Sequence, residues 1–238
     1  MAQLAVELRL TARRGENVLV TILIPTAVLL FFASVDVIPT GSQRAVDFLL
    51  PGALTLAVIA TGLVNLGIAT AYERSYGVLK RLGGSPLTRA NLVAAKIGAV
   101  LVIEIVQVLL LLAIGWLILG WRPSPAGSAP LFIASIVLGT ATFAGLGLLL
   151  AGTLRAEATL ALANGLFLAT MLLGGIVVPL DRLPEPVAAV VGWFPGAALA
   201  EALRMAMGAG GDPSRALAIL VAWGIGGVAL TSGTFRWD

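Results

Sequence analysis

Long apolar runs separated by short charged or proline-rich breaks dominate the chain, and the breaks delimit six candidate membrane-crossing helices. The first lies between Glu16 and Asp36, with Pro25 as a kink. The second lies between Asp47 and Glu73 and contains Asn65; the third lies between Lys96 and Arg122. Trp116 and Trp121 at the far end of the third suit an interfacial aromatic anchor. A breaker-rich loop, residues 122–130, leads to the fourth span, from about Leu131 to Leu154. Small residues four apart there, Ala141 with Gly145 and Gly147 with Ala151, permit close helix contact. Arg155, Ala156 and Glu157 make a very short return into the fifth span, which carries Asn164 and extends to Leu180. The last span lies between Arg215 and Arg236, with Asp212 as N-cap and Pro213 at the first helical position.

Two segments depart from this pattern. Residues 1–16 are too polar to insert: Leu4, Leu8 and Ala12 recur at four-residue spacing, while Arg9, Arg13, Arg14 and Glu16 keep the other faces wet. That predicts a helix lying along the membrane interface, with Arg13 and Arg14 near anionic headgroups. A signal peptide is the competing reading, but the run that follows is span-length and no small-x-small cleavage pattern ends it. Residues 181–211 are apolar yet cut by Pro184, Pro186, Pro195 and Gly196 into pieces too short to cross. One short helix opening at Pro186 and another over residues 197–207 are expected, dipping into the outer leaflet with their broken backbone covered. A seventh span is disfavoured by the prolines and by Asp181, Arg182, Glu185, Glu201 and Arg204. The expected fold is therefore an all-α membrane protein: one domain over residues 1–238, six transmembrane helices, an N-terminal amphipathic interface helix and short re-entrant outer helices before the last span.

Composition supports this. The chain is 59% apolar and 11% charged, with a mean hydropathy of +1.02, whereas soluble domains carry about 25% charge. A span needs roughly 20 apolar residues, and the runs have them. The net charge of +3 follows from topology and is not a nucleic-acid footprint. With no Cys and no His, thiol chemistry, iron–sulfur sites, His-based metal sites and the usual neutral-pH general base are all excluded. No G-x-x-x-x-G-K-[ST] loop is present to cradle ATP phosphates. The chain is not expected to be an enzyme or to bind a cofactor, so any energy it uses comes from another subunit. Six spans put both termini on one side. With the termini inside, ten cations (Arg9, Arg13, Arg14, Arg74, Lys80, Arg81, Arg89, Lys96, Arg155, Arg236) face the cytosol. Five (Arg44, Arg122, Arg182, Arg204, Arg215) face out. Cytoplasmic loops hold the excess of Lys and Arg, so both termini are expected in the cytosol.

The densest charge lies in residues 71–96, which hold five of the fifteen Lys and Arg residues against one acid, Glu73. Tyr76, Leu79 and Leu82 would share one side of a short amphipathic helix there, with Lys80 and Arg81 off that stripe. Gly83-Gly84 would end it and Ser85-Pro86 start the next segment. The block is either a docking element or a solvated loop whose charges only set topology. Glu104 is the only formal charge deep within a span, about 12 Å of helix rise past Lys96. An ionised carboxylate there costs about 2.5–3.5 kcal/mol. Gln107, three residues on, shares its face. Either Glu104 lines a polar cavity on a substrate path, or it is a protonated or hydrogen-bonded group joining helices, through Asn65 or Asn164.

These residues resemble the ABC-2 type permeases, the membrane subunits of bacterial ATP-driven exporters, daunorubicin-type exporters among them. The most specific match runs from Glu73 to Arg89, which resembles that family's E-R-x-x-G-x-L-x-x-L-x-x-[ST]-P-L block after the second span. Pro179–Pro184, Trp193–Pro195 and Glu201–Arg204 resemble its proline-punctuated outer segment. Ser75 departs from the block, where an acid is common. The resemblance implies that residues 73–90 form a cytoplasmic coupling loop seated in a separate ABC ATPase, which binds ATP and Mg. It also implies pairing with a second permease copy or paralogue in the bacterial plasma membrane. Glu73, Arg74, Tyr76, Gly77, Lys80, Arg81, Pro86 and Leu87 would dock and couple, with Arg155 and Glu157 nearby. Asn65, Glu104, Gln107 and Asn164 would border the substrate path. The family exports drugs, lipids, glycolipids and polysaccharides; short outer loops and one buried acid favour a hydrophobic, amphipathic or cationic compound. An ion-coupled secondary transporter using Glu104, a haem-exporter-like permease and a non-transporting scaffold are the rival readings.

Overall fold

The computed structural model describes residues 15–35, 44–78 and 89–234. Helix follows helix, with no strand among the described residues. Among the described residues, five helices are long and apolar enough to cross a bilayer: Ala45–Ser75, Ala94–Leu117, Ala129–Thr153, Ala156–Leu173 and Ser214–Thr231. We label the elements α1 (Gly15–Ser34), α2 (Ala45–Ser75), α3 (Arg89–Leu117), α4 (Ala129–Thr153), α5 (Ala156–Leu173), α6 (Glu185–Val191), α7 (Pro195–Arg204) and α8 (Ser214–Thr234). The expected first span corresponds to α1, which is 20 residues long and contains Pro25. The expected interface helix over residues 1–16 falls almost wholly outside the described residues.

The post of the bundle is α2. Its apolar window is 89% buried, against 22% for α5, and it packs on α1, α3, α4, α5 and α7. Wide π-type turns over Ala60–Asn65 interrupt it. Its glycines set how close α4 comes: a Cβ on Gly147 would lie 2.5 Å from the Gly62 carbonyl oxygen, and one on Gly67 would lie 3.1 Å from the Gly147 Cα. Backbones meet there, as small residues allow. The other side of α4 meets α8, where Thr142 Oγ1 donates to the Leu220 carbonyl at 2.9 Å and Thr231 Oγ1 to the Gly145 carbonyl at 3.1 Å.

Boundaries moved in two places. The fifth span ends at Leu173, seven residues before the expected Leu180, because Gly174 and Gly175 stop the helix and Gly175 adopts φ +69°. The third helix starts at Arg89, which puts Lys96 two turns inside it rather than in the loop. Between α5 and α8 the two short helices exist as expected: α6, and α7 extended by π-type turns over Met205–Ala209. They meet at 87°. Arg204 fastens α7 by donating to the Gly175 carbonyl and lying over the Phe48 ring, 4.0 Å from its centroid. Asp212 caps α8 as read from the sequence: its carboxylate accepts the Ser214 amide at 3.0 Å and the Ser214 hydroxyl at 2.7 Å, which holds its pKa below the usual carboxylate value.

Candidate functional site

The basic stretch of the sequence begins at the last turn of α2, and that turn is fastened on two sides. Glu73 and Lys96 are 8% and 3% exposed, and Lys96 Nζ donates to Glu73 Oε2 at 2.7 Å. Twenty-three residues separate them in the chain; α2 leaving the bundle and α3 re-entering it bring them together. A buried charge must be paired, and here each charge pairs with the other. One residue on, Arg74 Nη2 donates to the Leu154 carbonyl at 2.6 Å. Leu154 is the extended C-cap of α4, where helix carbonyls lack intrahelical partners and favour a cation. The turn thus holds α3 through an ion pair and the α4–α5 connection through a charge-assisted hydrogen bond.

Tyr76 is the C-cap of α2, and Gly77 follows with φ +70°, a conformation that favours glycine. Leu79 and Leu82, which the sequence puts on one stripe with Tyr76, lie outside the described residues. Lys80, Arg81, Pro86 and Leu87 lie outside the described residues. Arg155 precedes α5 in extended conformation and Glu157 sits exposed in its first turn, favourably placed for the helix dipole. Both lie beside the carbonyl that Arg74 caps, so Glu73, Arg74, Tyr76, Gly77, Arg155 and Glu157 gather at one end of the bundle.

Beside this root opens a cleft of about 510 Å³. Asn65, Ile68, Ala69 and Tyr72 on α2 and Tyr76 at its C-cap line it, with Thr21 of α1 and Leu160 of α5 on other sides. The Tyr72 and Tyr76 rings lie 6.0 Å apart at 33°. Of the four residues expected on a substrate path, only Asn65 is on this wall.

The other three lie elsewhere. Glu104 is 1% exposed; Thr140 Oγ1 of α4 donates to its Oε2, and its Oε1 is buried without a hydrogen-bond partner. Its helix-joining partner is thus Thr140, not Asn65 or Asn164. Gln107, also 1% exposed, donates through Nε2 to the Thr21 carbonyl at 3.1 Å and accepts from Thr61 Oγ1 at 2.8 Å, which joins α1, α2 and α3. Asn164 is exposed and donates to the Leu160 carbonyl of its own helix at 2.9 Å. Lys96, Thr140 and Thr61 were missed as site residues by sequence reasoning. A lysine seven residues inside an apolar helix was the one signal available.

The family model for the ABC-2 type transporter matches residues 2–207. The chain belongs to that family. Among curated relatives, this ABC-2 chain is similar to the probable multidrug ABC transporter permease YbhS of Escherichia coli strain K12 and to that of E. coli O157:H7. Each is 26% identical over 168 residues, which cover 70% of this chain and 44% of the relative. The chain thus spans less than half the length of the curated relatives it matches. Family and apolar helices together make it a multi-pass integral membrane protein, a membrane subunit of the ABC transporter type.

Proposed function

We propose that this ABC-2 chain is the permease subunit of an ATP-driven exporter that moves a hydrophobic or amphipathic compound out of the cell. A separate ABC ATPase, holding ATP and Mg, receives residues 73–90 in a surface cleft. A second permease copy or paralogue completes the path. The charge bias supports a bacterial plasma-membrane location with the basic loop and both termini in the cytosol, and α6 and α7 then dip in from outside. One observation carries the reading. The turn that bears the loop is locked to α3 by Glu73–Lys96 and to α4 by Arg74–Leu154, so a push on the loop moves three helices together. A solvated loop that only sets topology needs neither tie. The similarity to probable multidrug ABC transporter permeases supports the compound class.

The test is to co-express the chain with the products of its neighbouring genes, purify through the chain, and measure ATP hydrolysis and vesicle export. Co-purification with ATP-dependent export is expected. Export that follows a proton gradient with no ATPase attached would replace this reading with the secondary transporter.

A further inference from the structure

We propose that the cleft beside the loop root is a binding site for a flat, uncharged amphiphile, and that its occupant bears directly on the turn carrying the loop. The second half rests on the function proposed above; the first does not.

Size comes first. At about 510 Å³ the cleft falls within the roughly 300–1,000 Å³ of small-molecule sites. Shape comes from one helix face: Asn65, Ile68, Ala69, Tyr72 and Tyr76 stand at i, i+3, i+4, i+7 and i+11, so they form a single wall. Its upper part is aromatic, with two rings in contact and tilted by only 33°, a surface on which a planar ring system stacks. Among the described residues the lower part is apolar except for Asn65 and Thr21, and the Asn65 amide can orient a ligand without demanding charge. Among the described residues the one carboxylate on the wall is Glu73, which Lys96 engages, and an ionic ligand set against that pair would lose its hydration.

Position supplies the coupling. Tyr72, Glu73 and Tyr76 lie before the Gly77 bend and Val78 after it, and all four line the cleft. A ligand between them and Leu160 touches both sides of the bend and the acid that holds α3. Occupancy would therefore set the angle at which the loop leaves the bundle.

The probe is pyrenemethanol, a flat neutral ring system with one hydroxyl, titrated by fluorescence against the full chain in nanodiscs, with and without its ATPase. Saturable binding is expected, unaffected by dodecanol and stronger than for pyrenyltrimethylammonium. Tyr76→Ala should weaken it roughly three- to tenfold through lost stacking. Leu160→Trp should fill the cleft and abolish binding. Tyr76 and Leu160 are 72% and 40% exposed, so neither change threatens folding. In the ATPase complex, pyrenemethanol should stimulate ATP hydrolysis in the unmodified chain and not in Leu160→Trp. Binding that survives both substitutions overturns the site. Displacement by dodecanol makes it an acyl-chain groove, and preference for the ammonium makes it a cation site; either overturns the ligand class. Binding as expected with no co-purifying ATPase refutes the exporter and leaves the cleft standing. An ATPase partner without saturable binding does the reverse.

Discussion

Paired charges buried between helices behave unlike the surface charges they resemble in sequence. Removing one partner strands the other, at about 3–5 kcal/mol, whereas replacing both with apolar groups is close to neutral. Glu73→Leu should therefore destabilise the chain on the order of 3 kcal/mol, and Glu73→Leu with Lys96→Met should recover most of it, read by denaturant unfolding in detergent. The double variant should stay folded yet lose coupling between ATP hydrolysis and export. Single variants as stable as the parent would show the pair to be solvated. Glu104 is a different case. It is off the cleft wall and held by Thr140, and Gln keeps a group able to bond that hydroxyl. Glu104→Gln should leave stability within about 1 kcal/mol and export of a neutral compound unchanged, measured on vesicles. A loss of export with stability intact would return the acid to the transport path.

Among elements, α4 and its contact with α2 are the most sensitive to added volume. Gly147→Ala puts a methyl 2.5 Å from the Gly62 carbonyl oxygen, so the helices must part, at roughly 1–3 kcal/mol. Gly165 on α5 has nothing within 4 Å of an added Cβ, and Gly165→Ala should stabilise by up to about 1 kcal/mol through helix propensity. Opposite signs for these two glycines in the same unfolding assay are the expected result. Both glycines occur in apolar helical runs that look alike in sequence; periodicity marked α4 as a close-packing helix through its small residues but did not say which of them meets which neighbour. Gly77→Ala should cost roughly 1–2 kcal/mol, because an L side chain resists its left-handed backbone. It should also slow ATP-coupled export by shifting where the loop leaves α2.

For the whole molecule, orientation is the property on which the mechanism turns. The chain has no cysteine, so single substitutions at exposed positions report accessibility without background. Tyr76→Cys should react with a membrane-impermeant maleimide only in inverted vesicles, and Ala126→Cys only in intact cells. The reverse pattern would turn the molecule over and remove the ATPase from the basic loop. At this scale the proposed function gives α2 the part of distributing a push, since it packs on five of the other described helices and carries most of the cleft wall.

The helices of the described residues and their order were legible along the chain. An apolar run long enough to span a bilayer must close its hydrogen bonds within itself, and that requirement is local. The α5 end shows the limit even here, since Gly174 and Gly175 sit inside a run that reads as continuous. Tertiary packing alone decided that Lys96 and Arg74 are fasteners rather than solvated charges, that Glu104 answers to Thr140, and that Asn65 borders the cleft while Asn164 does not. Such pairings depend on how far each helix is rotated and advanced against its neighbours, and no spacing within one helix records that.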